Sequence, residues 1–155
     1  MRELIENFPN QINEASAALK NLDTTKHDEY AKGFTPSGIL VLGMGGSGIG
    51  GAFVSSILRK TSKVPIVTNA DYGIPGWVCA STLVVACSNS GNTEETLAAT
   101  SEAIKRGAKV ACIASGGKLE KLAKEECLPL VKVPGGFPPR SQFATSLLNL
   151  SWTLV

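Results

Sequence analysis

Residues 88 to 96 read SNSGNTEET, which gathers the hydroxyls of Ser88, Ser90 and Thr93 around Gly91 directly after an apolar run. Such a group suits a phosphate monoester, which carries close to two negative charges and three acceptor oxygens. Neutral hydroxyls together with helix N-terminal amides match it without a lysine. Each charge-assisted hydrogen bond contributes roughly 1.5 to 3 kcal/mol, so four or so donors hold a small phosphorylated ligand at micromolar to millimolar strength. Helix capping accounts for part of the cluster. Asn92 or Thr93 can cap the helix that follows, Glu95 stands where a capping-box partner of Asn92 would, and Glu94 and Glu95 complement the helix dipole. Capping does not call for Ser88, Ser90 and Thr93 together.

A second loop, GMGGSGIGG at residues 43 to 51, satisfies the dinucleotide pattern G-x-G-x-x-G twice, from Gly43 and again from Gly46. In a dinucleotide site an acidic residue near the end of the second strand holds the ribose, and Asp71 is available for that role. Tight packing of any strand-turn-helix junction also selects glycine, so the pattern alone leaves both readings open. There is no Walker A lysine, which argues against nucleoside triphosphate hydrolysis.

These loops need elements to hold them. Short apolar runs at Ile39 to Leu42, Val64 to Thr68, Leu83 to Cys87, Val110 to Ala114 and Leu128 to Val133 imply five strands. Between them lie helical stretches: one through Ile49, Phe53 and Ile57, one from Thr93 to Arg106 with Gly107 as its stop, and a short one around Leu119 to Lys124. This alternation predicts an α/β fold, a three-layer α-β-α sandwich around a five-stranded parallel sheet. The connection from Ala70 to Ser81 has no helical period. Pro129 would remove a ladder donor and places the fifth strand at an edge, which gives the order 2-1-3-4-5. At the reversal between strands 1 and 3 the two loops face each other, and a ligand belongs there, outside the strand C-termini. Hydroxyls on one wall and glycines on the other suit a small phosphorylated ligand better than a dinucleotide.

The 155 residues allow one domain: an N-terminal helical segment over about 1–35, with Leu4, Ile5, Phe8, Ile12, Ala15 and Leu19 at helical spacing, then sheet and helices over 36–155. A formal charge of +2 without a basic stripe excludes nucleic acid as a partner, and no apolar run approaches the roughly 18 residues that cross a membrane. A cytoplasmic protein is expected. Cys79, Cys87, Cys112 and Cys127 lack metal-ligand spacing, and Cys87 and Cys112 sit inside strand runs, so neither metal nor cofactor is expected. His27 is the one histidine, in a polar stretch. The last segment, SQFATSLLNLSWTLV, is apolar almost all round and needs a partner surface, either in a homodimer or in a longer chain.

The two loops, with an N-terminal NFPNQI stretch and PGGFPPRSQF before the last segment, resemble the sugar isomerase (SIS) domain family. Within it they are most similar to the N-terminal domain of the bifunctional phosphoglucose/phosphomannose isomerases. SNSGNTEET matches the family pattern S-x-S-G-x-T-x-E-T at every defined position. The resemblance implies binding of a sugar phosphate, with Gly46 and Ser47 touching the sugar and Ser88, Ser90 and Thr93 holding its 6-phosphate. It implies that Arg140 stabilises the enediolate, and that the reaction interconverts glucose or mannose 6-phosphate with fructose 6-phosphate. Gln142, Ala144 and Thr145 depart from what close relatives are expected to carry near Arg140. The family's second SIS domain, with the glutamate base, the ring-opening histidine and a lysine, is expected to lie outside these residues, so this chain alone should bind and scarcely turn over. Glu94 and Glu95 have a sufficient role at the helix start without serving as that base. A stand-alone phosphosugar-binding or regulatory module is the alternative, and a nicotinamide-binding domain a further one.

Overall fold

The computed structural model describes residues 6–20 and 25–136. Helices α1 (Phe8–Lys20) and α2 (Thr25–Ala31) precede β1 (Gly38–Leu42), α3 (Gly45–Leu58), β2 (Ile66–Asn69) and β3 (Thr82–Ser88). Then come α4 (Glu94–Lys105), β4 (Lys109–Ala114), α5 (Gly117–Glu125) and β5 (Leu130–Lys132). The five strands form one sheet in the order β2-β1-β3-β4-β5, and every pairing is parallel. The expected α/β sandwich, strand order and edge position of the fifth strand are all present. Pro129 precedes β5 and still offers its carbonyl, which accepts from the Cys112 amide at 2.8 Å.

Central strands buried on both faces read as continuous apolar runs. β1 is buried at all five positions, and in β3 Val84, Val85 and Ala86 have no exposed surface. One face joins Leu40, Leu42, Val84 and Val110 to Ala99 and Ala103 of α4 and Leu119 of α5. Ile74 and Val78 of the 70–81 connection, which contains no regular element, complete that core. The other face joins Ile39, Val41 and Val85 to Val54 of α3. Burial pushes the thiols of Cys87 and Cys112 up to about 12, as expected of core filler.

Helix α4 ends where Gly107 predicts: at φ +76° its amide and that of Ala108 return to Ile104 and Ala103. Helix α2 is tied to the sheet end remote from the two loops, since the Val110 amide donates to Tyr30 Oη at 3.0 Å and Lys109 Nζ lies 4.3 Å from the centre of the Tyr30 ring.

The face that α3 turns to the sheet differs from the expectation its apolar residues raise. Ile49, Phe53 and Ile57 lie on one line of the helix and are 54%, 46% and 59% exposed, while Gly50, Gly51 and Val54 are buried. A Cβ on Gly51 would sit 2.8 Å from Val41 Cγ1 and 3.1 Å from Thr68 Cγ2, so glycine lets this helix lie close on β1 and β2. Glycine is among the poorest helix formers, at roughly 1 kcal/mol below alanine, and α3 is helical because the sheet holds it there. Ser55 Oγ adds a bond to the Ile66 carbonyl at 2.9 Å.

Candidate functional site

Both loops emerge at the C-terminal edge of the sheet, where β1 and β3 are neighbours and their crossovers leave toward opposite faces. The loop after β1 turns directly into α3. Gly45 takes φ +51°, and the chain doubles back so closely that a Cβ on Gly48 would lie 2.6 Å from the Gly43 carbonyl oxygen. Two of the glycines that suggested a dinucleotide motif thus answer to packing, Gly48 against backbone and Gly51 against the side chains of Val41 and Thr68. Gly46 and Ser47 lie in the first turn of α3 and are half-buried.

Of the expected residues of the second loop, the structure joins Ser88 to Thr93. Ser88 is the last residue of β3 and only 1% exposed, and its Oγ lies 2.9 Å from Thr93 Oγ1. Ser90 is exposed, and its Oγ accepts from the Asn92 amide at 3.2 Å. Ser47 Oγ accepts from the Asn89 amide at 3.4 Å and so links the two loops. Ser47, Ser88 and Asn89 line a small crevice together with Cys87, Ile113 and Val133. Arg140, with Gln142, Ala144 and Thr145, lies outside the described residues, as do Leu4, Ile5 and the apolar C-terminal segment.

Capping works differently from the sequence expectation. Thr93 is the N-cap residue of α4, yet its side chain makes no cap bond and faces Ser88 instead. Asn92 serves a different helix: its Oδ1 accepts from the Lys118 amide of α5 at 3.1 Å, so it has no capping-box partnership with Glu95. Gly91 supports the same connection, its carbonyl accepting from the Leu119 amide at 2.8 Å. The N-cap residue of α3, Met44, makes no side-chain cap bond either. Both helices that begin at the crevice therefore start without a side-chain cap, while the first amides of α5 are engaged by the second loop.

Sequence inspection missed the third loop, Ser115-Gly116-Gly117 after β4. Ser115 Oγ and its amide both donate to the Asn89 carbonyl, at 2.5 and 3.0 Å. Gly91, at φ +67°, is pressed so tightly against it that a Cβ would fall 1.8 Å from the Gly116 carbonyl oxygen. The paired glycines after the fourth apolar run were the available signal.

On the β2 side the mouth is acidic. Glu95 first, with Glu94, holds the Tyr72 phenol above its ordinary range. Asp71 lies beside Gly43, Met44, Glu95 and Thr96 at a smaller recess, and its Oδ1 accepts from the Tyr72 amide at 2.7 Å. Among the described residues no cluster of three or more His, Cys, Asp or Glu could hold a metal ion, and no helix is long and apolar enough to cross a membrane.

No protein-family model matches the chain. It is 36% identical over 151 residues to the bifunctional phosphoglucose/phosphomannose isomerase of Caldicellulosiruptor bescii, covering 97% of this chain and 43% of that protein. To the bifunctional phosphoglucose/phosphomannose isomerase of Aquifex aeolicus it is 49% identical over 128 residues, covering 79% and 40%. The chain thus spans less than half the length of these relatives. Among solved structures, tagatose-6-phosphate ketose/aldose isomerase from Escherichia coli superposes with a TM-score of 0.72 at 18% identity, covering 93% of this chain and 45% of that one. The Vibrio vulnificus NanR protein complexed with ManNAc-6P gives 0.72 at 16% identity, covering 99% and 62%.

Proposed function

The chain belongs to the family of the bifunctional phosphoglucose/phosphomannose isomerases and has the sugar isomerase (SIS) domain fold, and from that premise we propose that it is the phosphosugar-binding N-terminal domain of a cytoplasmic aldose-ketose isomerase. In that enzyme it holds glucose or mannose 6-phosphate while the sugar is converted to fructose 6-phosphate, and the enzyme works as a homodimer. The observation that carries this reading is the Ser88–Thr93 hydroxyl pair at 2.9 Å, set between two helix N-termini that have no side-chain cap.

The phosphate lies at the Ser88, Ser90 and Thr93 end, where hydroxyls and the first amides of α4 donate to its oxygens. Anion binding at helix N-termini follows from exposed amide donors and the helix dipole. Gly46 and Ser47 line the sugar on the α3 side, where the absence of a side chain at Gly46 admits the ring. Isomerisation then needs the ring opened and a proton moved between C2 and C1 through an enediolate. Arg140 is assigned to the developing negative charge on the oxygens of that intermediate, a task suited to a guanidinium that is always charged. The base and the ring-opening imidazole come from outside these 155 residues. General acid-base catalysis contributes typically a factor of a hundred to ten thousand, so this chain alone binds substrate and turns it over poorly.

Calorimetric titration with fructose 6-phosphate tests the assignment. Ser88→Ala and Thr93→Val each remove one charge-assisted hydrogen bond, worth roughly 1.5 to 3 kcal/mol, and should weaken binding by about 10- to 100-fold with an unchanged circular dichroism spectrum. Unchanged affinity in both variants would refute the phosphate site. Binding of NADH in place of the sugar phosphate would return the glycine loop to the dinucleotide reading.

A further inference from the structure

A phosphate monoester carries close to two negative charges, and the side chains assigned to it so far leave that charge unbalanced. Ser88, Ser90 and Thr93 are neutral, and Glu94 and Glu95 follow them directly. Across the three loops at the C-terminal edge of the sheet, residues 43–47, 88–95 and 115–118, Lys118 is the one basic residue. Neutral donors fix the geometry of a bound anion, whereas a cation supplies the long-range attraction.

Lys118 belongs to the first turn of α5, and that turn is built onto the second loop. Its amide donates to Asn92 Oδ1 at 3.1 Å, and the Asn92 amide donates to Ser90 Oγ at 3.2 Å, so one residue bridges the Lys118 backbone and the Ser90 hydroxyl. The preceding residue is closer still, since a Cβ on Gly117 would lie 2.5 Å from the Ser90 carbonyl oxygen. Helical side chains tilt toward the N-terminus of their helix, which here is the side of the Ser90 loop. A lysine stem carries its ammonium about 6 Å from the Cα, enough to pass Asn92 and meet a phosphate at Ser90.

The placement of the charge points the same way. A helix dipole favours acidic residues in the first turn, so a lysine at the second position of α5 stands against it. Lys124 and Lys132 are both held by the Glu120 carboxylate, at 2.9 and 3.3 Å, whereas Lys118 is exposed and makes no ion pair among the described residues. Such a cation is balanced when an anion sits between it and the first amides of α4. We propose that Lys118 is a further substrate-binding residue, its ammonium pairing with the phosphate of the sugar phosphate from the Ser90 side. The assignment rests on the phosphosugar reading and adds to it a charged contact from the third loop. Asn92 and the Gly91 carbonyl, which accepts from the Leu119 amide at 2.8 Å, then hold α5 at the distance from Ser90 that this contact needs.

Calorimetric titration with fructose 6-phosphate and, separately, with inorganic phosphate tests the contact. Lys118→Gln keeps most of the stem and a similar helix propensity while removing the charge. It should weaken both ligands by about 3- to 30-fold, between the worth of an exposed ion pair and that of a charge-assisted hydrogen bond. The dependence of affinity on salt should flatten in the same variant. Lys118→Arg should stay within about threefold of the wild type, and Lys105→Gln, exposed at the far end of α4, within about twofold. Because the lysine opposes the dipole of α5, Lys118→Gln should melt no lower than the wild type. Weaker binding with a lowered melting temperature would mark a structural residue and overturn the assignment. Unchanged affinity in Lys118→Gln, a loss for fructose 6-phosphate but not for inorganic phosphate, or an equal loss in Lys105→Gln would overturn it as well. In each of those cases Ser88→Ala and Thr93→Val still weaken binding if the phosphosugar reading holds. A wild-type chain that takes up no fructose 6-phosphate removes that reading and this assignment together.

Discussion

Gly45 and Gly91 both take a left-handed conformation, φ +51° and +67°, but their surroundings differ completely. Around Gly45 a Cβ would meet nothing within 4 Å, whereas at Gly91 it would fall 1.8 Å from the Gly116 carbonyl oxygen and 2.7 Å from its carbon. Alanine at either position incurs the left-handed backbone penalty of roughly 1 to 2 kcal/mol. For a domain of this size 1 kcal/mol moves the melting temperature by about 2 to 4 °C, so Gly45→Ala should lower it by about 2 to 8 °C. Gly91→Ala must also separate the second and third loops by more than an ångström. That movement strains or breaks the bonds from the Leu119 amide to the Gly91 carbonyl, 2.8 Å, and from the Gly91 amide to the Ser88 carbonyl, 3.0 Å. With about 1 to 2 kcal/mol for each of these bonds, the total rises to roughly 3 to 6 kcal/mol, a large part of the 5 to 15 kcal/mol that stabilises a typical domain. Thermal melts followed by circular dichroism on both variants read the difference directly. If Gly91→Ala melts within about 2 °C of Gly45→Ala, the close contact between the loops is not a constraint on the fold and the reasoning fails.

Further outcomes follow from the same structure. Asn92→Ala should cost about 1 kcal/mol by uncapping α5, lower the melting temperature by about 2 to 4 °C, and speed hydrogen exchange at the start of α5 but not in α4, since the carboxamide bonds only to Lys118 of α5 and to the Ser90 carbonyl of its own loop. Hydrogen exchange that changes at α4 and not at α5 would contradict this. In thiol labelling of the native chain, Cys79 and Cys127 should react while Cys87 and Cys112 stay protected, because the latter two are buried and their thiols are raised to about 12. Hydrogen bonds from Ser81, and then from Thr82, hold the Cys79 thiol below its ordinary range. A lowered value means thiolate at lower pH, so the alkylation rate of Cys79 should rise earlier in a pH series than that of a free cysteine; a coincident or later rise would refute the assignment.

The sequence carried the sheet almost completely because each strand is a continuous apolar run and Pro129 marks an edge. The closeness of Ser88 and Thr93 was also legible, since a helix cap explains only part of that hydroxyl cluster. It assigned Asn92 to the helix that follows, with Glu95 as partner, whereas the bonding partner of its side-chain oxygen lies 26 residues further along on another helix. For α3 the apolar period marked the helix and left the side that meets the sheet unmarked. Apolar side chains ordinarily mark the buried side of a helix, and here the buried side is glycine, which contributes contact without a hydrophobic signal. The helical segment at 8–20 was visible as a helix, with Ala15 buried and Ile12 partly exposed.

One hydroxyl proton bridges Ser88 and Thr93, and the second proton of the pair points elsewhere. A ligand that only accepts can take both protons once this internal bond opens, and it regains two bonds for the one given up. A ligand that brings its own donor uses one of these hydroxyls as an acceptor and forms fewer charge-assisted bonds. On the proposed reading this pair favours the fully ionised phosphate over its monoprotonated form, and the affinity for fructose 6-phosphate should climb as pH rises through the second phosphate ionisation near 6.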